Sequence, residues 1–420
     1  MDSSLSILKQ RVPLAYGAAV VASTAIGVGM MSLPLVSLGM WFFLSLVVLT
    51  VTAFYVIATG SLLLEVNMKY PIGTGIHSMV RDLLGCKHAL ICDFMMIFNG
   101  FILLYAYITV GTEAVQFYLR EYGGYELNWY LAGVLFAGVF GAIFYTIPIT
   151  ISRFLSAFML LMSLSFVYIV YELSFSVALN NIVEPAVEHH YSLSLLPFVL
   201  MTLPFFMAAM GYQQVIPMLR RLYNDKPRRV IRSVAFGIGF VSLIYLVWLL
   251  VIMGNQPRET MILSVSEGKD NIENVVETIS QSDDIKSLMF FFVQMAVLTS
   301  FIGVAKGLLD YLMDVLSNHY KLSTRYAKVV VLLLPLTLSL TFPYGFLMAI
   351  GFAGLAGAIW AGVYPALMAL VSRKNTRQKE DASNGYVTLG GEFTPWLILA
   401  YSMLLILTML LGLFDLLPKF

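Results

Sequence analysis

Eleven apolar stretches divide the chain, at residues 12–36, 41–67, 89–119, 128–149, 154–179, 192–219, 231–254, 287–316, 327–342, 344–371 and 394–416. Each is near or above the length a helix needs to cross hydrocarbon, about 20 residues. The ninth, which stops before Pro343, is the shortest. The polar segments between them are brief and leave no room for a separate soluble domain. The pattern predicts an all-α polytopic membrane protein with a single transmembrane domain over 1–420.

Two of these stretches are interrupted. The first holds Ala22-Ser23-Thr24-Ala25-Ile26-Gly27-Val28-Gly29-Met30-Met31-Ser32-Leu33-Pro34, with two glycines, hydroxyls and a proline near its middle. The sixth holds Leu203-Pro204-Phe205-Phe206-Met207-Ala208-Ala209-Met210-Gly211-Tyr212-Gln213-Gln214-Val215-Ile216-Pro217, with prolines on both sides of a glycine and two glutamines. An unpartnered backbone group is costly in hydrocarbon, so irregular backbone at that depth lines protein or a cavity. A helix broken there offers N–H groups at one half-helix start and C=O groups at the other half-helix end. The first favours an anion and the second a cation, which together suit a zwitterion. The other reading of the glycines is close helix packing. Interrupted spans at equivalent places in successive five-helix halves point to an inverted-repeat transporter. The repeats are expected over 1–185 and 186–375, with 376–420 carrying an eleventh helix outside them.

Composition supports the membrane reading: 59% of residues are hydrophobic and 12% charged, against about 25% charged in ordinary soluble domains. The net charge of +1 gives no sign of a nucleic-acid partner. Cys86 and Cys92 lack metal-like neighbours and do not suggest a disulfide framework. The first apolar stretch is full length and reads as a retained span, not a cleaved signal peptide. Of the 25 lysines and arginines, only Arg120, Arg258, Lys269, Lys286 and Lys419 fall on the outer side when the N-terminus is placed inside, and Lys306 falls within a span. That bias predicts a cytoplasmic N-terminus and an outward C-terminus. The acidic outer loop at 255–286 is either a lid, with a surface helix over Asn271–Ile279, or simply solvated. His189 and His190, beside Glu184 and Glu188, read mainly as solvated loop residues.

Thr24-Ala25-Ile26-Gly27-Val28-Gly29-Met30-Met31-Ser32-Leu33-Pro34 resembles the T-x-I-G-x-G-M-x-x-x-P signature of the hydroxy and aromatic amino acid permeases. Further matches run along the chain: Leu63-Leu64-Glu65-Val66-Asn67, Leu104-Tyr105-Ala106-Tyr107-Ile108, Tyr245-Leu246-Val247-Trp248, Thr299 to Asp310, and Ala349-Ile350-Gly351-Phe352-Ala353-Gly354 with Ile359-Trp360. The resemblance implies a LeuT-like 5+5 inverted repeat with broken helices 1 and 6. It also implies proton-coupled amino acid import across the bacterial inner membrane. Gly211-Tyr212-Gln213-Gln214-Val215-Ile216-Pro217 looks closer to the tyrosine and tryptophan permeases than to the serine and threonine ones, although many aromatic members carry histidine where Gln213 stands.

In that fold the substrate carboxylate meets N–H groups near Gly27 and Gly29, and its ammonium meets carbonyls around Ala22–Ala25 and Ala209–Gly211. The expected substrate site comprises Thr24, Ala25, Ile26, Gly27, Gly29, Tyr107, Met210, Gly211, Tyr212, Gln213 and Gln214. Tyr105 and Tyr107, two apart on a helix, cannot face the same way; Tyr107 is favoured as a hydroxyl donor. Gln213 or Gln214 would read a phenol hydroxyl or indole N–H, or else bond the freed backbone of the broken helix. Phe205, Phe206 and Tyr212 are candidate pocket walls. Gly351, Gly354, Ala358 and Gly362 read as packing residues.

Lys306 lies within the eighth span, with Asp310 and Asp314 following at four-residue steps. An ionisable residue in a span is a functional candidate. In sodium-coupled relatives of the fold this span helps hold the ion, so Lys306, with Asp310, is expected to couple transport to protons in its place. The alternative is a structural Lys306–Asp310 pair. Glu65, Asp93 and Glu113 are secondary relay candidates. No cofactor or metal is expected, H+ is the expected coupling ion and Na+ is not. The expected partners are a small amino acid and the lipid bilayer, with no obligate protein partner. The leading reading is a tyrosine and/or tryptophan:proton symporter; a serine/threonine carrier is the nearest rival. An ion channel would show rings of charge or a carbonyl filter, and an enzyme a nucleophile or metal constellation. The sequence shows neither.

Overall fold

The computed structural model describes residues 12–146, 151–183, 195–266, 276, 282–317, 324–378 and 386–417. Nine long apolar helices, one sharply bent pair and one shorter apolar helix, Trp129–Ile143, account for the crossings among these residues. They fall where the eleven apolar stretches lie. Of the outer loop at 255–286, residues 267–275 and 277–281, which hold most of the Asn271–Ile279 stretch, lie outside the described residues, as does the His189–His190 pair.

The first span consists of Leu14–Ala25 and Gly29–Val36, bent by 62° at residues 26–28. The sixth consists of Leu196–Ala209 and Ile216–Leu222, joined through Met210–Tyr212 and one tight turn over Gln213–Val215. The two breaks are five spans apart, as the 5+5 arrangement requires. The tenth span runs as Phe346–Gly357, a π-helical turn over Ala358–Val363, and Tyr364–Gln378. The eleventh, Phe393–Leu413, packs outside the repeats against the sixth and tenth.

Small residues let the spans approach. A Cβ on Gly354 would collide with the Pro204 carbonyl, which brings the tenth span against the sixth. Gly362 likewise faces the Tyr55 hydroxyl, itself 2.8 Å from Ser402 Oγ on the eleventh span. Without a hydrophobic force between helices in lipid, such close contacts supply much of the packing.

A buried ion pair lies at a membrane face, away from the two breaks. Glu65 is 2% exposed at the end of the second span, Trp41–Asn67. It accepts from Arg373 Nε and Nη2 at 2.7 Å each and from the Thr388 backbone N–H at 2.8 Å. This fork ties the second and tenth spans to the turn that enters the last helix. Removing one partner of a buried pair strands the other charge, which costs about 3–5 kcal/mol. Arg373→Met is therefore expected to lower thermal stability in detergent markedly. Adding Glu65→Gln to it should restore much of the loss, which thermal unfolding monitored by fluorescence will show.

Candidate substrate site

At the break in the first span, the Ile26 N–H still closes a bond to the Ala22 carbonyl at 2.8 Å. The outer half-helix opens with Met30 N–H to Gly27 C=O at 3.1 Å and Met31 N–H to Val28 C=O at 3.0 Å. The N–H groups of Gly27, Val28 and Gly29 thus stand ahead of the first bonded turn, where a helix attracts an anion. A Cβ on Gly27 would sit 2.8 Å from Ser300 Oγ, so any side chain there must displace that hydroxyl of the eighth span, Asp283–Ser317. A Cβ on Gly29 would meet Ala209 Cα at 3.4 Å, which shows how closely the two broken spans cross.

The carbonyl ends of both inner segments converge on one hydroxyl. Tyr245, buried in the seventh span, Pro227–Asn255, places Oη 3.0 Å from the Ala25 carbonyl and 2.7 Å from the Ala209 carbonyl. Its single proton is shared between two acceptors. Each carbonyl has a second lone pair, so both retain capacity for a substrate ammonium. Tyr245 was not among the expected site residues. The sequence marked it only as part of Tyr245-Leu246-Val247-Trp248, where a phenol cannot be told from a packing residue.

Beside the break lies a chamber of about 80 Å³, continuous with a vestibule of about 600 Å³. Both are lined by Thr24, Asn99, Tyr107, Gln214, Ser300 and Trp360. The vestibule is bounded by the residue 75–77 segment, the C-terminal half of the sixth span and Asp310 and Tyr311 of the eighth. In an alternating topology these ends share a face with the start of the first span, and the vestibule opens there. On the opposite face Arg258 donates from Nε to the Leu38 carbonyl at 2.8 Å and from Nη2 to the Gly39 carbonyl at 2.7 Å.

The expected residues divide clearly. Thr24, Ala25, Gly27, Gly29, Tyr107, Gly211, Gln213 and Gln214 line the chamber. The Thr24 hydroxyl bonds back to the Val20 carbonyl at 2.8 Å. Ile26 and Met210 belong to the breaks but line neither space. Tyr212 is turned away, fully buried, and donates to the Val56 carbonyl at 2.9 Å. Gln213 is engaged at both ends of its amide: Oε1 accepts from the Tyr212 N–H at 2.9 Å and Nε2 donates to Thr59 Oγ1 at 2.9 Å. It thus bonds the freed backbone of its own broken helix. Gln214 is exposed to the vestibule. Phe205 and Phe206 pack inside the bundle, and the aromatic walls are Tyr107 and Trp360 instead. Tyr105 donates to the Phe342 carbonyl at 2.8 Å and plays a packing role.

Lys306 lies within the eighth span, as expected. Its side chain and that of Asp310 are each 65% exposed and stand 3.3 Å apart on one helix face. The reason is helical phase: Ala305, Leu308 and Leu309 turn inward, which leaves Lys306 and Asp310 on the outer face. Asp310 lines the vestibule. Asp314 has no described side chain. Of the secondary candidates, Glu65 is held by Arg373 and Glu113 is buried within the third span, Cys86–Gly123. Asp93 is 4% exposed at the vestibule edge, 2.7 Å from His77 Nδ1 and accepting from Tyr311 Oη at 2.6 Å.

Residues 11–409 match the model of the tryptophan/tyrosine permease family. The chain belongs to that family. It is 35% identical to the tryptophan-specific transport protein of Pseudomonas aeruginosa, covering 89% of this chain and 90% of that one. It is 32% identical to the low affinity tryptophan permease of Escherichia coli K12, over 96% and 97%. The tyrosine permease of Enterobacter agglomerans is 29% identical over 99% and 100%. Among solved structures, Mhp1 in its inward-facing conformation superposes with a TM-score of 0.60 at 16% identity, covering 96% and 91% of the two chains. A sodium-coupled sialic acid symporter gives 0.55 at 14%, over 95% and 88%. This permease therefore has the LeuT-like transporter fold.

The geometry at the break makes two variants informative. Gly27→Leu is expected to abolish uptake while the protein still inserts, because the side chain collides with Ser300 and fills the chamber. Tyr245→Phe leaves two buried carbonyls without their donor, at a cost of about 1–3 kcal/mol. Uptake should fall at least about tenfold, with a matching drop in thermal stability. Normal uptake by Gly27→Leu would place the substrate elsewhere.

Proposed function

We propose that the chain imports tryptophan and/or tyrosine across the bacterial inner membrane by proton symport through alternating access. The observation that carries the proposal is the chamber at the two breaks. There the N–H end of one half-helix and the carbonyl ends of two others flank a space with aromatic and neutral polar walls. A zwitterion fits because backbone dipoles meet its carboxylate and ammonium, with no buried charged side chain needed. The relatives' names supply the aromatic class. The vestibule that opens on the N-terminal face is the inward path to the cytoplasm, which accords with the excess of lysine and arginine on that side.

In the cycle the substrate enters from the opposite face, binds at the breaks and leaves through the vestibule. Tyr245 keeps the inner segments of the first and sixth spans together when the substrate ammonium departs. Asp310 lines the vestibule and Lys306 stands 3.3 Å from it, so a proton on the pair could exchange with water there in this conformation. Their exposure supports release to the cytoplasm; occlusion in the outward state would complete the coupling.

Uptake, competition and substitution at Lys306 test this reading. Proteoliposomes should accumulate labelled tyrosine or tryptophan under an imposed proton gradient, without sodium, and a protonophore should collapse the uptake. Competition by serine or threonine should be far weaker, and dominant serine uptake would move the chain to the hydroxy amino acid carriers. Lys306→Met should leave exchange but no accumulation. Lys306→Arg should fail likewise, because a guanidinium does not deprotonate. Proton-dependent accumulation by Lys306→Met would make the Lys306–Asp310 pair structural.

A further inference from the structure

Two polar atoms along the substrate path lack a protein partner. Asn99 Oδ1 is buried with no hydrogen-bond donor, and Trp360 Nε1 is buried with no acceptor. Both residues line the chamber and the vestibule, so they stand at the junction of the two spaces. Buried polar side-chain atoms are nearly always bonded, and each exception calls for an explanation. An acceptor and a donor without protein partners thus belong to residues that border the same two spaces.

The supporting elements are built to hold them there. Met96, Asn99, Leu103 and Tyr107 recur at three- and four-residue steps and form one stripe of the third span along the cavity. Gly100 brings that span against Leu308 of the eighth, where a Cβ would already lie 3.0 Å from Leu308 Cδ1. Trp360 is 4% exposed and sits inside the π-helical turn Ala358–Val363. Such turns are rare and occur often at functional sites.

We infer that Asn99 and Trp360 form the subsite that reads the hydrogen-bonding edge of the substrate's aromatic ring. This rests on the aromatic amino acid reading above. With the carboxylate at Gly27–Gly29 in the small chamber, the side chain extends toward the junction. An indole N–H donates to Asn99 Oδ1. A phenol hydroxyl donates to Asn99 Oδ1 and accepts from Trp360 Nε1, completing both. A phenyl ring completes neither and leaves two desolvated polar atoms unpaired. Gln213, a sequence candidate for this role, already spends both ends of its amide within the protein.

The test is a competition panel in proteoliposomes: tyrosine against phenylalanine, and tryptophan against 1-methyltryptophan. The wild type is expected to favour the hydrogen-bonding member of each pair by at least about tenfold. Asn99→Leu should shrink both ratios toward one. Trp360→Phe should lower the tyrosine-to-tryptophan ratio, since only the phenol accepts from the indole N–H. A merely structural role would change overall uptake and leave these ratios alone. Equal competition by phenylalanine and 1-methyltryptophan in the wild type overturns the inference without any variant. So do undiminished ratios in Asn99→Leu. Absence of aromatic uptake altogether overturns the aromatic reading itself, which distinguishes the two failures.

Discussion

Hydrocarbon offers no partner for a free peptide group, and the structure depends on how that constraint is met at two broken helices. Each break exposes N–H and C=O groups that a continuous helix would have consumed. The protein satisfies some of them internally. Tyr245 bridges the Ala25 and Ala209 carbonyls, and Gln213 accepts from the Tyr212 N–H. The N–H groups at Gly27–Gly29 remain at the mouth of the outer half-helix, beside the chamber. The groups left over at the break are the ones the proposed substrate site would use.

Charge is kept away from that site and used at its margins. Glu65 and Arg373 fasten the second and tenth spans near a membrane face, and Arg220 contacts Asn67 and Asp225 near the end of the sixth. His77, Asp93 and Tyr311 join the short helix Ile76–Leu84 to the third and eighth spans at the vestibule edge. On the proposed function, a substrate with its own two charges would meet oriented dipoles there instead of a fixed ion pair with which it would have to compete.

The glutamines show how local sequence can leave two roles open. Gln213 and Gln214 are adjacent and chemically identical, and both were candidates to read the substrate. The tight turn over Gln213–Val215 points the first into Thr59 and its own backbone and the second into the vestibule. Asn99 had the opposite history. It stands alone in the third span, with no motif around it, and matters only because its oxygen is buried beside the cavity without a partner.

The spans, the two breaks and the family were legible in the sequence. Hydrophobic length, glycine and proline are local properties, and hydrocarbon enforces them strictly. The free N–H end at Gly27–Gly29 was legible for the same reason, since it belongs to backbone and not to any side-chain orientation. Rotation about each helix axis was not legible, because an all-round apolar span carries almost no periodic signal. Only packing turned Tyr107 toward the cavity and Tyr105 toward Phe342, set Lys306 on an exposed face, and replaced Phe205, Phe206 and Tyr212 with Trp360 as the wall. Convergence across distant segments was likewise a tertiary decision: Tyr245 reaches Ala25 across 220 positions of chain, a contact no local pattern encodes.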